Sequence, residues 1–164
     1  MINSYPEQIN SNSSQGFTLI ELVMVIVLVG VLAAFALPKF ADLSTDARLA
    51  SLESLEGAIR SATGVVHSIA LLEDKTDCFE DPTVELDGVV VTLRCGYPCP
   101  HPSGIATAVA TEGNFVWVGG NCGGLLGAVE AQVSDAPDPA NCKIRYTSAR
   151  QTRAPGITRV VSGC

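Results

Sequence analysis

The chain has 164 residues, a formal net charge of -7, and a composition that is 47% hydrophobic but only 5% aromatic. That acidic balance, with a pI near 4.7, argues against nucleic acid as a partner, because nucleic-acid binding leaves a basic, aromatic-interleaved footprint. Six cysteines, all from Cys78 onward, suit disulfides in an oxidising compartment.

Residues 1–16 are polar and end in Gln15-Gly16, and an apolar run follows from Phe17 to Leu37. A helix over that run rises about 30 Å, enough to span hydrocarbon. Glu21 is the only ionisable residue in it. A carboxylate in that setting costs several kcal/mol, roughly 2.5 to 3.5 for Asp at a helix centre on the insertion scale, and so implies a partner. Three readings compete: a permanent anchor, a signal peptide cut near Ala34-Phe35-Ala36, or a segment cut before the apolar run. A signal peptide needs a basic start and a short uninterrupted apolar core, whereas residues 1–16 hold no Lys or Arg and Glu21 interrupts the run.

Cleavage after Gly16 would create an α-amino cation on Phe17, four residues before Glu21. Within one helix the two can approach each other, and between staggered helices the same pair can set axial register. The stretch G-F-T-L-I-E-L-V-M-V-I-V-L-V-G-V-L-A-A-F-A-L-P closely resembles the processing site and N-terminal helix of type IV pilins. The resemblance implies removal of residues 1–16 as a leader by a prepilin peptidase, N-methylation of Phe17, and assembly by a platform and ATPase into a homo-oligomeric helical filament. It also implies that Glu21 neutralises a neighbouring subunit's terminal amine. One departure is that such leaders normally carry Lys or Arg before the glycine, and this one carries only Glu7 as a charge.

The helix is expected to continue to about Leu72, since Phe40, Leu43, Ala47, Ala50, Leu55, Ala58, Ile59, Ala62, Val66, Ile69 and Leu72 recur near a 3.6-residue period. Glu56 and Arg60 are correctly ordered for an i, i+4 pair. Pro38 lacks an N–H and opposes the carbonyl of Ala34, so together with Gly30 it marks a helix break. The pilin resemblance implies that this stretch can melt inside a filament; the alternative is a proline kink in a continuous helix. Pro38-Lys39-Phe40, Asp42-Leu43, Asp46-Ala47-Arg48, Gly57-Ala58-Ile59, Gly96-Tyr97-Pro98 and Gly104-Ile105 resemble a narrower group, the mannose-sensitive haemagglutinin (MSHA)-like pilins.

Residues 73–164 then form a disulfide-braced β head after a helix over 17–72. An acidic connection from Glu73 to Asp87 leads into a hairpin, Val84 to Leu86 and Val89 to Leu93, because Asp87-Gly88 supplies positive φ for a tight turn. Ile105 to Ala110 and Phe115 to Val118 are further strands, and Leu125 to Val133 is a strand or a short helix. Lys143 to Thr147 and Ile157 to Ser162 pair as antiparallel strands. If Cys142 faces Cys164, Thr147 faces Arg159, and a Cys142–Cys164 bridge follows. The pilin resemblance supports that bridge. Cys78, Cys95, Cys99 and Cys122 form two further bridges in any of three pairings.

Lys143, Arg145, Arg150, Arg153 and Arg159 make the last segment basic, and it either meets a neighbouring subunit's acidic connection or forms a solvated face. No catalytic, metal or cofactor site emerges. His67 reads as a packed helix residue, and the cysteines beside His101 read as disulfides rather than zinc ligands. Gly119 to Gly127 lacks the Lys-Ser or Lys-Thr ending of a phosphate loop.

The reading is an α+β protein with the type IV pilin fold, a non-enzymatic structural subunit of a pilus used for adhesion, surface attachment or motility. Its expected path runs from the inner membrane to an extracellular pilus on a bacterial surface. The alternatives are a pseudopilin of a type II secretion system and, in another class, a membrane-anchored periplasmic enzyme or secreted binding domain.

Overall fold

The computed structural model describes residues 16–109, 111, 113–123 and 127–164, with backbone alone at 40–42. The expected leader up to Gln15 therefore lies outside the described residues, as do Ala110, at the end of an expected strand, and Leu125, at the start of an expected strand or short helix. Two compact units divide the chain, Met1–Asp42 and Leu43–Cys164.

Helix α1 covers Leu19–Leu72 and contains Pro38. Its start is a capping box: Thr18 Oγ1 accepts from the Glu21 N–H at 3.3 Å, and Glu21 Oε2 accepts from the Thr18 N–H at 3.1 Å. Its end is set by Asp74 at φ 56, which lets the Lys75 N–H reach Ala70 O at 2.8 Å and the Asp74 N–H reach Leu71 O at 3.5 Å. This reciprocal pattern is a Schellman ending, built here on Asp rather than the commoner Gly.

In the second unit, α1 buries Leu52, Leu55, Ile59, Thr63, Val66 and Ala70, a stripe at three- and four-residue steps. The expected stripe was rotated in part. Leu52 lies inside at 0% exposure, whereas Leu43, Ala47, Ala50, Ala58 and Leu72 are exposed. Small residues flanking the true stripe keep the period without telling which of two neighbouring rows faces the sheet.

A three-stranded antiparallel sheet, β1 Thr83–Leu86, β2 Val89–Arg94 and β3 Tyr97–Pro98, covers the later turns of α1. Val84, Val91 and Leu93 pack there against Val66 and Ala70. Asp87 and Gly88, at φ 50 and 81, make the expected two-residue turn, with Leu86 opposite Val89. Cys95 and Gly96, at φ 52 and 75, make a second turn of the same kind between β2 and β3. A Cβ on Gly96 would stand 3.2 Å from Thr76 Cγ2 and 3.3 Å from His67 Nδ1.

The strand expected from Ile105 to Ala110 is replaced by a π-helical turn, Pro102–Ala106, running into a short helix α2, Thr107–Val109. Proline opens the turn, His101 Nδ1 accepts from the Ser103 N–H at 3.2 Å, and Thr107 Oγ1 donates to Pro102 O at 2.6 Å. Ile105 is fully buried, so its β-branched side chain reports burial rather than a strand.

The second sheet is a four-stranded antiparallel meander: β4 Phe115–Gly119, β5 Ala128–Val133, β6 Lys143–Thr147 and β7 Gly156–Val160. Strict alternation on β5 turns Val129, Ala131 and Val133 inward, which resolves its strand-or-helix ambiguity. These residues, with Ile144 and Tyr146, enclose Leu52, Leu55 and Ile59 of α1. Tyr146 is fully buried, and its hydroxyl donates to Pro98 O at 2.8 Å, joining the two sheets. Burial raises its pKa.

The β6–β7 register differs from the expected one. Thr147 faces Gly156 and Ile144 faces Arg159, a three-residue shift. The reason is that β7 ends at Val160, and a turn then carries the chain back: Cys164 N–H donates to Val161 O at 3.2 Å, and Gly163 N–H to Asn141 O at 3.0 Å. Cys164 thus meets Cys142 across a turn, outside the ladder.

Candidate assembly site

The N-terminal segment brings Gly16, Phe17, Thr18 and Glu21 into one short stretch. In the uncut chain Phe17 carries a peptide N–H, and the Glu21 carboxylate turns to Thr18. Oε2 accepts from both the Thr18 N–H, at 3.1 Å, and the Thr18 hydroxyl, at 3.0 Å. Thr18 is the partner that reading charges alone missed; the T-x-x-E spacing of a capping box was the signal for it. A carboxylate near an apolar phase is thereby partly satisfied by its own helix.

Beyond this cap, Phe17 is 85% exposed, and Leu19, Ile20, Leu22, Met24, Ile26 and Leu28 are each at least 60% exposed. The helix is long and apolar enough to cross a membrane. Large apolar side chains of α1 before Pro38 stand exposed, an apolar face suited to lipid or to other helices. Gly30 and Pro38 both lie within the continuous range of α1, and a Cβ on Gly30 would meet nothing within 4 Å.

In the head, disulfides join Cys78 to Cys95, Cys99 to Cys122 and Cys142 to Cys164, which takes every cysteine. The thiols beside His101 are therefore occupied, and His101 Nδ1 engages Ser103. His67 is half-buried and stacks on Tyr97, ring centroids 3.9 Å apart, while its Nδ1 donates to Gly96 O at 2.8 Å. Asp138 accepts from Asn141 at 2.7 Å, and Asp135 faces Arg48. Among the described residues, no group of three or more His, Cys, Asp or Glu converges as metal ligands would.

The segment 73–87 uses part of its acid locally. Glu73 pairs with Lys75 at 2.7 Å and Asp81 with Arg94 at 3.1 Å, while Asp77 Oδ1 accepts from the Phe79 N–H at 2.6 Å. In the basic C-terminal segment, Lys143 pairs with Glu130 at 2.7 Å and Arg159 approaches Glu56 at 3.7 Å. The Lys143 hydrogen bond lowers the pKa of Glu130. Glu56 also pairs with Arg60 at 2.7 Å, as the i, i+4 spacing predicts.

Comparison with known proteins bears on this arrangement. Residues 11–37 match the prokaryotic N-terminal methylation motif. The type IV narrow pilus major component PilA5 of Thermus thermophilus is 46% identical over 52 residues, which cover 32% of this chain and 45% of that protein. A type IV major fimbrial protein FimA of Dichelobacter nodosus is 28% identical over 149 residues, 91% of this chain and 76% of that protein. A fimbrial protein of Moraxella nonliquefaciens is 37% identical over 87 residues, covering 52% of this chain and 53% of that protein. The chain thus spans about half the length of two of these relatives and three quarters of the other. No solved structure matches the chain significantly.

A long apolar N-terminal helix whose later turns pack on antiparallel sheet, braced by disulfides, is the type IV pilin fold. The methylation motif and the fimbrial relatives agree with that fold.

Proposed function

We propose that this chain is cut between Gly16 and Phe17 by a prepilin peptidase, methylated on Phe17, and assembled by an ATP-driven platform into a homo-oligomeric filament. The single observation that carries this reading is the uncovered apolar face of α1 with one carboxylate at its start. Before assembly the face lies in the inner membrane; in the filament it lies against copies of itself, and the subunit becomes extracellular. Glu21 is the register residue. Its carboxylate exchanges the Thr18 cap for the new Phe17 amine of a neighbour, since an ion pair shielded from water outweighs hydrogen bonds from uncharged donors. Gly30 and Pro38 mark where the helix can loosen in the filament.

The head serves as a rigid, exposed surface for adhesion or attachment, and the reading assigns no chemistry to it. The MSHA-like subtype rests on the short matches around Pro38-Lys39-Phe40 and Gly96-Tyr97-Pro98 and is a narrower part of the proposal.

Mass spectrometry of the mature chain tests the reading directly. The expected N-terminus is N-methylated Phe17, with the three disulfides intact. A Glu21→Val variant should accumulate in the membrane and yield few filaments. A mature chain starting near Leu37, or wild-type filament yield from the valine variant, would sink the proposal.

A further inference from the structure

The chain holds 10 Lys and Arg residues against 17 acids. Arg48, Arg60, Lys75, Arg94, Lys143 and Arg159 each approach a carboxylate within ion-pair distance. Among the described residues, Lys39, Arg145, Arg150 and Arg153 have no such partner. Three of those four line one open cleft of about 570 Å³ in the head.

The fold brings them together. On the outer face of the second sheet, Arg145 of β6 stands opposite Thr158 of β7, and Thr147 stands opposite Gly156. The β6–β7 loop turns back over this face, pinned by a double bridge: the Arg150 N–H donates to Arg153 O at 2.8 Å, and the Arg153 N–H to Arg150 O at 3.0 Å. Among the described residues, no acid lines the cleft. The cross-strand neighbour of Arg145 is Glu130, but its Oε2 is held by Lys143 at 2.7 Å.

Three guanidinium groups gathered in one cleft repel one another, and the acids nearest them are shared: Glu130, opposite Arg145, is held by Lys143, and Asp77, which lines a neighbouring cleft with Arg150 and Arg153, accepts from the Phe79 N–H. A ligand that brings negative charge removes that cost. The guanidinium fork matches planar or tetrahedral oxyanions such as carboxylate and sulfate. The rest of the described lining is hydroxyl and small: Thr147, Ser148, Thr158, Ala154 and the glycines Gly127 and Gly156. This suits a polyhydroxylated ligand, and the volume falls within the range of small-molecule clefts. Among the described residues no aromatic side chain lines the cleft, so they offer no platform for stacking nucleic-acid bases. In a neighbouring subunit's 73–87 segment, Glu73, Asp77 and Asp81 are already engaged in their own subunit, and the segment enters the test below as a competitor.

We propose that the cleft between β6, β7 and the Arg150–Arg153 turn binds acidic polysaccharide, its sulfate or uronate groups held by Arg145, Arg150 and Arg153. The site lies in the head alone and does not depend on the filament reading.

The test uses the full chain in non-ionic detergent, titrated with dextran sulfate and with a polyuronate, against neutral dextran and duplex DNA. Both acidic polysaccharides should bind and neutral dextran should not. The Arg145→Gln/Arg153→Gln variant should bind at least tenfold more weakly, while Lys39→Gln, the other unpartnered cation, should stay within twofold of wild type. Should the glutamine variant fail to fold, the Arg145→Lys/Arg153→Lys variant decides: it keeps the charge but loses the fork, so severalfold weaker binding supports the proposal and unchanged binding overturns it. Equal loss with Lys39→Gln would also overturn it. So would duplex DNA, or a peptide of residues 73–87, displacing the polysaccharide at equal charge concentration.

Discussion

Arg48 ties helix α1 to the C-terminal loop: its Nη1 donates to Cys164 O at 3.0 Å, and its Nε stands 3.6 Å from Asp135 Oδ2. That Nε is buried without a hydrogen bond, so the clamp is strong at one nitrogen and incomplete at another. In Arg48→Met the apolar stem is retained and the donor to Cys164 is lost. The expected cost is about 1 kcal/mol, since relief of the unsatisfied nitrogen offsets part of the lost bond. Thermal unfolding should show that decrease, and hydrogen exchange at Gly163 and Cys164 should quicken; protection unchanged at both amides would refute the clamp.

Cys142 and Cys164 close a loop whose ends already meet through the Gly163 N–H to Asn141 O bond. Replacing both cysteines with serine should lower stability by about 2–5 kcal/mol, mostly through a less constrained unfolded state. Chemical denaturation measures this. A change below about 1 kcal/mol would show that the turn, rather than the bridge, holds the segment.

Glu130 titrates below its ordinary range chiefly because Lys143 donates to it. A depressed folded pKa contributes stability that is present above the unfolded value of about 4.5 and is lost as pH falls through the lower folded value. Lys143→Gln should therefore weaken the head by about 0.5 kcal/mol at neutral pH and flatten the acid limb of its stability profile. Equal losses at neutral pH and at pH 2 would contradict this origin.

Two glycines should respond oppositely to alanine. Gly88 sits at φ +81 in the β1–β2 turn, so Gly88→Ala should destabilise by about 1–2 kcal/mol. Gly64 lies in α1, where an added methyl group would meet nothing within 4 Å, so Gly64→Ala should stabilise the subunit by about 0.5–1 kcal/mol. Unfolding midpoints moving in the same direction would show that backbone conformation is not the deciding difference.

Local chemistry made several features readable from the sequence. The Phe17 to Leu37 run with its lone Glu21, the Asp87-Gly88 turn and the Glu56–Arg60 pair each depend on a handful of nearby residues, whose spacing or φ preference settles the outcome without distant partners. Long-range matters were decided only by tertiary structure. Leu52 rather than Ala50 faces the sheet, Ile105 serves a helical turn rather than a strand, and β6 meets β7 three residues away from the expected register. In each case the local pattern allowed two arrangements of similar cost, and the contact that separated them came from elsewhere in the chain: the sheet beneath α1, the core of α1 and the second sheet that takes in Ile105, and the turn that carries Cys164 back to Cys142. The gathering of Arg145, Arg150 and Arg153 is of the same kind, because spacing gives their charge but only the ladder and the loop give their shared cleft.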